Sequence, residues 1–348
     1  MEILQHIWGS TPEGEAIVIY TIRNANGCEV QLCNIGASIV SVKAPDRNGK
    51  FDDIVLGYKE PMSYFGDGAA SGKSVGRVAN RIAKGKMCVD GVEYALEINN
   101  GPNHLHGGSK GFANQLWNHS VQEDKVVFSR LSPDGEEGYP GNLLVKVAYS
   151  FDEDNQLLIE YHALSDQDTV LNLTNHAYFN LSGHNSGTIY EQQLKIYSEA
   201  FTENDADCLP TGKIIPVEGT AFDFREWKAI GKDIDADDPN IRNGAGYDHN
   251  FILLQDGEFT LGAEAYSPES GIHMALYTTQ PGVQLYTANY VHEANIKGKD
   301  AAVYPKNGGF CLETQHWPNA MEHEHFPSVV LRAGELYEHL TAYAFSVK

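Results

Sequence analysis

The sequence predicts an all-β fold, a large sandwich of stacked antiparallel sheets with few short helices. Strand-like alternation of apolar and polar residues recurs along the chain, whereas segments with helical periodicity are rare. Turn-forming pairs such as Asp90-Gly91 and Pro281-Gly282 separate these runs. The composition agrees, because 34 glycines and 18 tyrosines among 348 residues are typical of many short strands joined by tight turns.

Eight runs carry this alternation, and the last of them is the clearest. In that run Tyr337, His339, Thr341, Tyr343 and Phe345 share one parity, as in a strand that buries one of its faces. The predicted strands lie within Cys28–Val40, Met87–Leu96, Leu143–Phe151, Leu157–Leu164, Ile272–Thr279, Val283–Tyr290, Phe310–Thr314 and Leu336–Val347.

Helices and linkers are expected to contribute little. Short helical pieces are expected at Pro61–Phe65 and near Phe224–Ile230, and the acidic residues 231–247 are expected to form a long surface loop. Proline, glycine and serine are spread evenly, with no low-complexity tract and no internal repeat. The simplest organisation is a single domain over residues 1–348.

The acidic balance of the chain limits its partners. With 47 acidic against 25 basic residues, the formal net charge is -22 at pH 7. Such a field repels nucleic acids and anionic membrane surfaces, and it disfavours a highly phosphorylated substrate unless a local basic pocket compensates. We therefore expect a small-molecule ligand, no nucleic acid partner and no membrane partner.

The cysteines and the N-terminal residues favour a cytoplasmic protein. Five scattered cysteines, an odd number, argue against a disulfide framework and for a reducing compartment. Residues Met1–Trp8 lack the basic and apolar regions of a signal peptide, and no apolar run is long enough to span a membrane.

The segment Val170–Gly183 alternates with unusual strictness. Apolar residues fill one parity, interrupted only by Asn175, and hydrogen-bonding side chains, with no Lys or Glu among them, fill the other: Asn172, Thr174, His176, Tyr178 and Asn180. Such a strand is expected to pack one face on the core and to present the other to a neutral polar ligand. The alternative is a wet sheet face with an incidental histidine.

Three patterns resemble ligand-binding motifs without satisfying them. The segment Gly68–Ser74 is one residue short of the Walker phosphate loop, and it lacks the preceding strand and following helix. His104 and His106 share one face of an extended segment, but the carboxylate expected after them in an all-β metal site is missing. The histidines of Glu322–His325 lie in a polar stretch that is better interpreted as a solvated loop. We expect no metal and no cofactor.

Two arginines and an aspartate leave their roles open. Of Arg77 and Arg81, at least one is expected to be a surface charge. Asp248 lies in the aromatic-rich segment Tyr247–Phe251, where it is either a structural cap or a carboxylate that binds hydroxyl groups.

Glu313 and His176 are the candidates for proton transfer. Glu313 lies in an otherwise apolar run, where desolvation raises the pKa of a carboxyl group, as a general base working near neutrality requires. The ordinary pKa of a histidine, about 6.5, suits a general acid at the same pH. Together with neutral hydrogen-bonding groups and the aromatic residues Tyr178 and Trp317, this pair indicates proton shuffling on a polyhydroxylated molecule.

Eight motifs, spread over essentially the whole chain, resemble those of aldose 1-epimerases, also called galactose mutarotases, in the family's order. They are Asn80–Gly85, Leu105–Gly108, Ser132–Gly141, Asn172–Leu181, Thr220–Asp223, Tyr247–Phe251, Gln280–Gln284 and Gly309–Gln315. Each motif alone is weak, but the set is specific. The least familiar stretch is Asp67–Ser74, which could shape the rim of the site.

The resemblance implies a galactose mutarotase-like supersandwich that binds sugar on an open sheet surface without a metal or cofactor. It implies an isomerase that interconverts the α and β anomers of free aldohexoses such as galactose and glucose. By the same resemblance, Glu313 matches the general base at the anomeric hydroxyl, and His176 matches the general acid at the ring oxygen. The residues that match substrate contacts are Asn80, Arg81, His106, Tyr178, Asp248 and Gln284.

Three other functions would use a similar set of polar and acidic residues. A hexose-6-phosphate 1-epimerase would need a basic phosphate pocket, which the acidic chain disfavours. A non-catalytic sugar-binding module would not need both His176 and Glu313. A glycoside hydrolase typically needs two carboxylates that flank one bond. The protein is expected to act on its sugar as a monomer or a homodimer.

Overall fold

Antiparallel strands dominate the chain, as the alternation predicts. The structure is a computed structural model, and it describes residues 1–253, 257–294 and 297–348. The predicted runs Leu143–Phe151 and Leu336–Val347 match strands residue for residue, while Cys28–Val40 and Met87–Leu96 each contain parts of two paired strands. No helix in the described ranges is long and apolar enough to cross a membrane.

The strands are β1 Glu2–Ser10, β2 Ala16–Arg23, β3 Glu29–Cys33, β4 Ser38–Pro45, β5 Phe51–Asp53, β6 Ser74–Val75, β7 Arg81–Ile82, β8 Lys86–Val89, β9 Val92–Ala95, β10 His104–Leu105, β11 Asn118–Gln122, β12 Lys125–Ser132, β13 Leu143–Phe151, β14 Gln156–Ser165, β15 Thr169–Val170, β16 Thr174–Asn175, β17 Gln193–Ile196, β18 Ala200–Asn204, β19 Pro210–Pro216, β20 Lys228–Ala229, β21 Asp248–Ile252, β22 Thr260–Tyr266, β23 Ile272–Thr278, β24 Gly282–Tyr286, β25 Cys311–Gln315, β26 Val330–Leu331 and β27 Leu336–Val347.

Three sheets form the body of the fold. A nine-stranded sheet has the order β11-β12-β13-β14-β27-β23-β22-β17-β20, and two five-stranded sheets have the orders β1-β2-β3-β4-β5 and β19-β18-β21-β24-β25. Their buried side chains meet in one apolar cluster, to which Val30, Tyr149 and Leu285 each contribute from a different sheet. The sheets therefore stack as layers, which is the arrangement that two-residue periodicity favours.

Two tyrosines on β27 tie the central sheet to the segments that carry the candidate catalytic residues. The Tyr343 hydroxyl donates to the Leu312 carbonyl oxygen at 2.9 Å. The Leu173 N–H donates to the Tyr337 hydroxyl oxygen at 3.1 Å. Because both tyrosines are buried, these bonds are shielded from water and fix the depth of the two segments.

The helix predictions are correct in one place and wrong in another. A short 3-10 turn covers Pro61–Tyr64, as expected. Near Phe224–Ile230 the chain instead forms the short strand β20, followed by a 3-10 turn at Ile230–Lys232. The supposed surface loop 231–247 holds an α-helix, α1 Pro239–Gly244, where the Asp238 carboxylate caps the Asn240 N–H and proline occupies the first turn.

The other 3-10 turns within the described ranges are at Ala83–Gly85, Phe112–Asn114, Glu136–Gly138, Val291–Ala294, Lys299–Ala301 and Ala320–Glu322. All five cysteines are free, as their scattered spacing predicts.

The segment Val170–Gly183 is not one strand with an open face, and that prediction is wrong. Only its residues in β15 and β16 belong to named strands, and both parities are buried, with Asn172 and Asn180 at 1% and 0% exposure. Other segments of the protein lie along both of its edges, and some of its polar side chains satisfy buried backbone groups. Asn180, for example, donates to the carbonyl oxygen of Gly308 at 2.9 Å.

Candidate active site

A cavity of about 410 Å³ opens where the segment Val170–Gly183 meets β25. Seven of the eight predicted site residues line it, namely Asn80, Arg81, His106, His176, Tyr178, Asp248 and Glu313. The eighth, Gln284, is buried beneath the cavity wall at 2% exposure. Residues from five separate motifs thus converge on one space.

His176 and Glu313 face each other because of strand register. The Phe179 N–H donates to the Phe310 carbonyl oxygen at 2.8 Å, and the Phe310 N–H donates back at 2.9 Å. Because this bridge is antiparallel, three residues back from Phe179 and three residues on from Phe310 bring His176 opposite Glu313. Accordingly, Nε2 of His176 lies 3.6 Å from Oε1 of Glu313.

The His176 imidazole is packed on most sides. Its Nδ1 lies 3.4 Å from Sγ of Cys311, which leaves Nε2 as the nitrogen that faces Glu313 and the cavity. The rings of Tyr178 and Tyr286 have centroids 4.9 Å and 5.9 Å from the imidazole. Burial lowers the pKa of His176 to about 4, since the charged imidazolium loses hydration there.

Glu313 occupies the centre of β25 and is 2% exposed. Among the described residues, none offers a hydrogen bond to its Oε2. Burial raises the pKa of Glu313 well above its ordinary value, and the nearby Asp248 raises it further, while Arg81 acts in the opposite direction. The carboxyl group is therefore a strong proton acceptor, as predicted from the apolar run around it.

Asp248 and Arg81 form the polar wall beside Glu313. Nη1 of Arg81 lies 3.7 Å from Oδ2 of Asp248, and Nε of Arg81 donates to the Asn100 side chain at 3.1 Å. The Gln284 amide donates to Oδ1 of Asp248 at 2.6 Å. Gln284 is also the cross-strand partner of Glu313, so it lies beneath both carboxylates. Its role in the structure is to hold the Asp248 carboxylate in place.

His106 enters the cavity from a turn, not from an extended strand. Its backbone φ is +53°, and its Nδ1 accepts the Asn80 N–H at 3.1 Å. Because Nδ1 accepts, the neutral ring carries its proton on Nε2 and can donate to a ligand. Burial lowers the pKa of His106 well below its ordinary value, so the ring is neutral. His104 points elsewhere, to the Tyr139 hydroxyl at 2.7 Å, so the predicted shared face is wrong.

The expectation that Arg77 or Arg81 is a surface charge is also wrong. Arg77 is 2% exposed, and its guanidinium donates to Ser132 Oγ at 2.9 Å and to the Pro140 and Gly141 carbonyl oxygens at 2.7 and 2.9 Å. It thereby anchors the loop that contains Pro140. The two arginines are four residues apart, yet one is structural and the other lines the cavity.

Several lining residues were not predicted. Tyr286 shares the parity of Gln284 on β24, a signal that the alternation already contained. Asn100 and Tyr290 come from irregular segments, which have no periodicity to reveal them. The backbone of Asp67–Ala69 forms another part of the wall, and the Tyr178 hydroxyl donates to the Ala69 carbonyl oxygen at 2.9 Å.

His106, His176 and Glu313 are also the group best placed to hold a metal ion, with potential ligand atoms within 4.8 Å of one another. Chemistry argues against it, since the Asn80 N–H occupies Nδ1 of His106 and leaves a proton on Nε2. The other histidine pair considered for a metal contacts carbonyl oxygens instead, with His323 at Pro210 and His325 at Gly212.

Comparison with known proteins places this geometry in a family. A family model described as Aldose 1-epimerase matches residues 18–344. The galactose mutarotase of Sus scrofa is 45% identical over 347 residues, which cover 100% of this chain and 99% of that protein. The aldose 1-epimerase of Escherichia coli K12 is 35% identical over 338 residues, with 96% of each chain covered.

The chain belongs to the aldose 1-epimerase family.

Solved structures agree with this membership. The GalM/aldose epimerase homologue from C. elegans has a TM-score of 0.87 at 34% identity, over 94% of this chain and 98% of that one. The galactose 1-epimerase of Lactobacillus acidophilus has a TM-score of 0.85 at 26% identity, over 99% of both chains. These matches confirm the galactose mutarotase-like, all-β fold predicted from the sequence.

Proposed function

We propose that this protein is an aldose 1-epimerase that interconverts the α and β anomers of free aldohexoses, galactose and glucose among them. The observation that carries the proposal is the opposition of His176 and Glu313 across 3.6 Å in a sugar-sized cavity. Mutarotation needs a proton removed from the anomeric hydroxyl and a proton delivered to the ring oxygen. An imidazole and a carboxyl group that face one space supply both transfers.

In the proposed mechanism Glu313 takes the proton of the anomeric hydroxyl while His176 protonates the ring oxygen. The bond between C1 and the ring oxygen then breaks, and an open-chain aldehyde forms. Rotation about the C1–C2 bond exposes the other face of the carbonyl group. Reverse transfers then close the ring as the opposite anomer. Glu313 returns its proton to the carbonyl oxygen, and the hydroxyl group formed from the ring oxygen attacks C1 and gives its proton to His176.

Burial of both groups assists ring opening. The reactive form of the ring-closed complex carries a carboxylate and an imidazolium, whereas the open-chain complex holds a neutral acid and a neutral imidazole. Desolvation raises the pKa of Glu313 and lowers that of His176, so it favours the neutral pair. The two proton transfers therefore run in the direction that the apolar surroundings favour.

The remaining side chains would hold the sugar in place. The proton on Nε2 of His106 can donate to a hydroxyl or to the ring oxygen, and Arg81 offers further donors. Asp248 can accept from a sugar hydroxyl, and Gln284 and Arg81 keep its carboxylate oriented. Asn80 and Tyr178 complete the proposed contacts. A ligand held by several such bonds keeps its anomeric centre in line with the catalytic pair.

The charge of the cavity supports a free sugar over a hexose 6-phosphate. Of the described residues that line it, Arg81 is the only Lys or Arg, whereas Asp67, Asp248, Glu293 and Glu313 are acidic. A dianionic phosphate would meet a mainly negative wall. The net charge of -22 points the same way, and it also supports the absence of a nucleic acid partner.

We further propose that residues 1–348 act as one domain in the cytoplasm, as a monomer or a homodimer. Five free cysteines support a reducing compartment.

The test is a polarimetric assay of α-D-galactose, corrected for the spontaneous rate, in the presence and absence of EDTA. Catalysed mutarotation that EDTA leaves unchanged is expected, because the proposed mechanism uses protons alone. Galactose 6-phosphate is the comparison substrate and should react far more slowly. A protein that binds galactose without accelerating mutarotation would instead be a sugar-binding module, and a strict requirement for metal would contradict the mechanism.

A further inference from the structure

The segment Asp67–Lys73 is bonded directly to the chain that carries His176. The His176 N–H donates to the Lys73 carbonyl oxygen at 2.9 Å, and the Gly72 N–H donates to the His176 carbonyl oxygen at 3.0 Å. These bonds continue the ladder in which β6 pairs with β16. His176 therefore has this segment on one backbone edge and β25, with Glu313, on the other.

An ion pair closes this segment on itself. Nζ of Lys73 donates to Oδ1 of Asp67 at 2.8 Å, and the two side chains are 0% and 1% exposed. The same oxygen accepts the Ala70 N–H at 3.1 Å, and Oδ2 accepts the Ser71 N–H at 3.0 Å. Since both carboxylate oxygens are engaged within the segment, Asp67 contributes to the cavity as a wall rather than as a sugar ligand.

The position of Lys73 also explains the near match to a phosphate loop. Its ammonium group points into the protein, toward Asp67 and the Asn114 side chain at 3.3 Å, and not into solvent. No helix follows, because the chain enters β6 directly. Burial lowers the pKa of Lys73, and the Asp67 charge opposes that change. The lysine thus serves the segment itself.

The backbone of this segment has little freedom to move. Gly72 has φ +72°, and a Cβ there would lie 1.9 Å from the Ile39 carbonyl oxygen. The Gly72 carbonyl oxygen accepts the Asn175 side-chain amide at 2.8 Å. The Tyr178 hydroxyl bonds to the Ala69 carbonyl oxygen, so the segment touches the residues on both sides of His176.

We propose that the buried Asp67–Lys73 ion pair is a positioning device that locks segment 67–73 against the backbone of His176 and so holds the imidazole opposite Glu313. This inference rests on the proposed function, in which His176 is the general acid. Neither Asp67 nor Lys73 is a catalytic residue. A displacement of about 1 Å at a reacting group can lower a rate about 100-fold, so the positioning is worth a measurable share of the rate.

The pair also sets a balanced electrostatic field at His176. The Asp67 charge raises the pKa of His176 and the Lys73 charge lowers it. Loss of Asp67 should therefore lower the pKa of His176, and loss of Lys73 should raise it. The other titratable groups that face the imidazole are His106, Tyr178, Tyr286, Cys311 and Glu313. These groups stay the same in variants of the pair.

The test uses Lys73→Met, Asp67→Asn and the double variant in the galactose assay, each measured as kcat, KM and a pH profile. For Lys73→Met we expect kcat to fall at least 10-fold with KM changed less than threefold. The acid limb of the pH profile, where activity falls as pH decreases, should move to higher pH. For Asp67→Asn we expect a similar loss of kcat and an acid limb at lower pH. In the double variant the limb should return toward the wild-type position while kcat stays low.

Lys299→Met is the matched control. It removes the lysine of another largely buried pair, with Nζ 2.5 Å from Oδ2 of Asp53, that has no bond to the His176 backbone. It should lower the unfolding midpoint without moving the acid limb or reducing kcat at a temperature where it is folded. If Lys73→Met does not fold, the double variant decides, because it leaves no unpaired buried charge.

Folded variants of Asp67 and Lys73 with kcat within threefold of wild type would overturn the proposal, as would a loss of kcat that Lys299→Met reproduces. A wild-type protein without mutarotation activity would count against the proposed function instead. The two failures are therefore distinct.

Discussion

Replacement of Glu313 by glutamine is the sharpest perturbation of the proposed mechanism. Glutamine keeps the size of the side chain at the centre of β25 but cannot accept a proton at neutral pH. General acid–base catalysis contributes about 10²- to 10⁴-fold, so the variant should lose about 3 to 5 kcal/mol of transition-state stabilisation. In the polarimetric assay kcat should fall by this factor, while galactose binding measured by calorimetry should change little.

Stability provides an independent readout of the same substitution. The folded-state pKa of Glu313 is raised, so folded protein keeps a proton that unfolded chain releases as pH rises above the ordinary glutamate value. Wild-type stability is therefore lost as pH rises from that value through the raised one. Glu313→Gln lacks this loss, so its stability relative to wild type should increase over the same interval.

The control for this experiment is Glu264→Gln. Glu264 is a partly buried glutamate on β22 that bonds His273 at 2.8 Å and Tyr197 at 2.6 Å, and it does not line the cavity. It should keep the wild-type kcat. If Glu313→Gln retains a rate within about threefold of wild type, the assignment of the base is wrong.

The remaining predictions concern the acid, the pH profile and the buried arginine. His176→Asn should abolish catalysed mutarotation and stay folded, and near-normal turnover would refute its role. The pH profile of kcat/KM should be bell-shaped. The rate should fall as pH approaches about 4, where His176 and Glu313 are both protonated, and again at alkaline pH, where the pair has lost its shared proton. A monotonic profile would contradict the assignment of this acid–base pair. Arg77→Lys should lower the free energy of unfolding in urea by about 3 kcal/mol, because lysine cannot reproduce the hydrogen bonds to Ser132 and Pro140. An unchanged midpoint of urea unfolding would refute this prediction.

The strands of the sheets were predictable because each buries one face. Along β27, Tyr343 and Phe345 repeat every second residue toward the core, and a short window of sequence is enough to detect that period. The same rule failed for Val170–Gly183, because that segment is buried on both faces. Of its polar residues, Asn172 and Asn180 bond buried backbone groups, whereas His176 and Tyr178 line the cavity.

The helix α1 and the role of Arg77 were missed for a related reason. A six-residue helix is too short to show a period, and its cap at Asp238 resembled the surrounding acidic residues. Arg77 could be recognised as structural only after the loop with Pro140 had folded over it, since its carbonyl partners lie far away along the chain.

The residue types of the active site could be read from the sequence, because an isolated glutamate in an apolar strand and a histidine among amides already indicate acid–base chemistry. Only the tertiary structure decided that Glu313 and His176 oppose each other, through the bridge between Phe179 and Phe310. It also decided that Lys73 is a buried ion-pair partner and not a phosphate ligand. Both outcomes depend on long-range register and burial, which local periodicity does not encode.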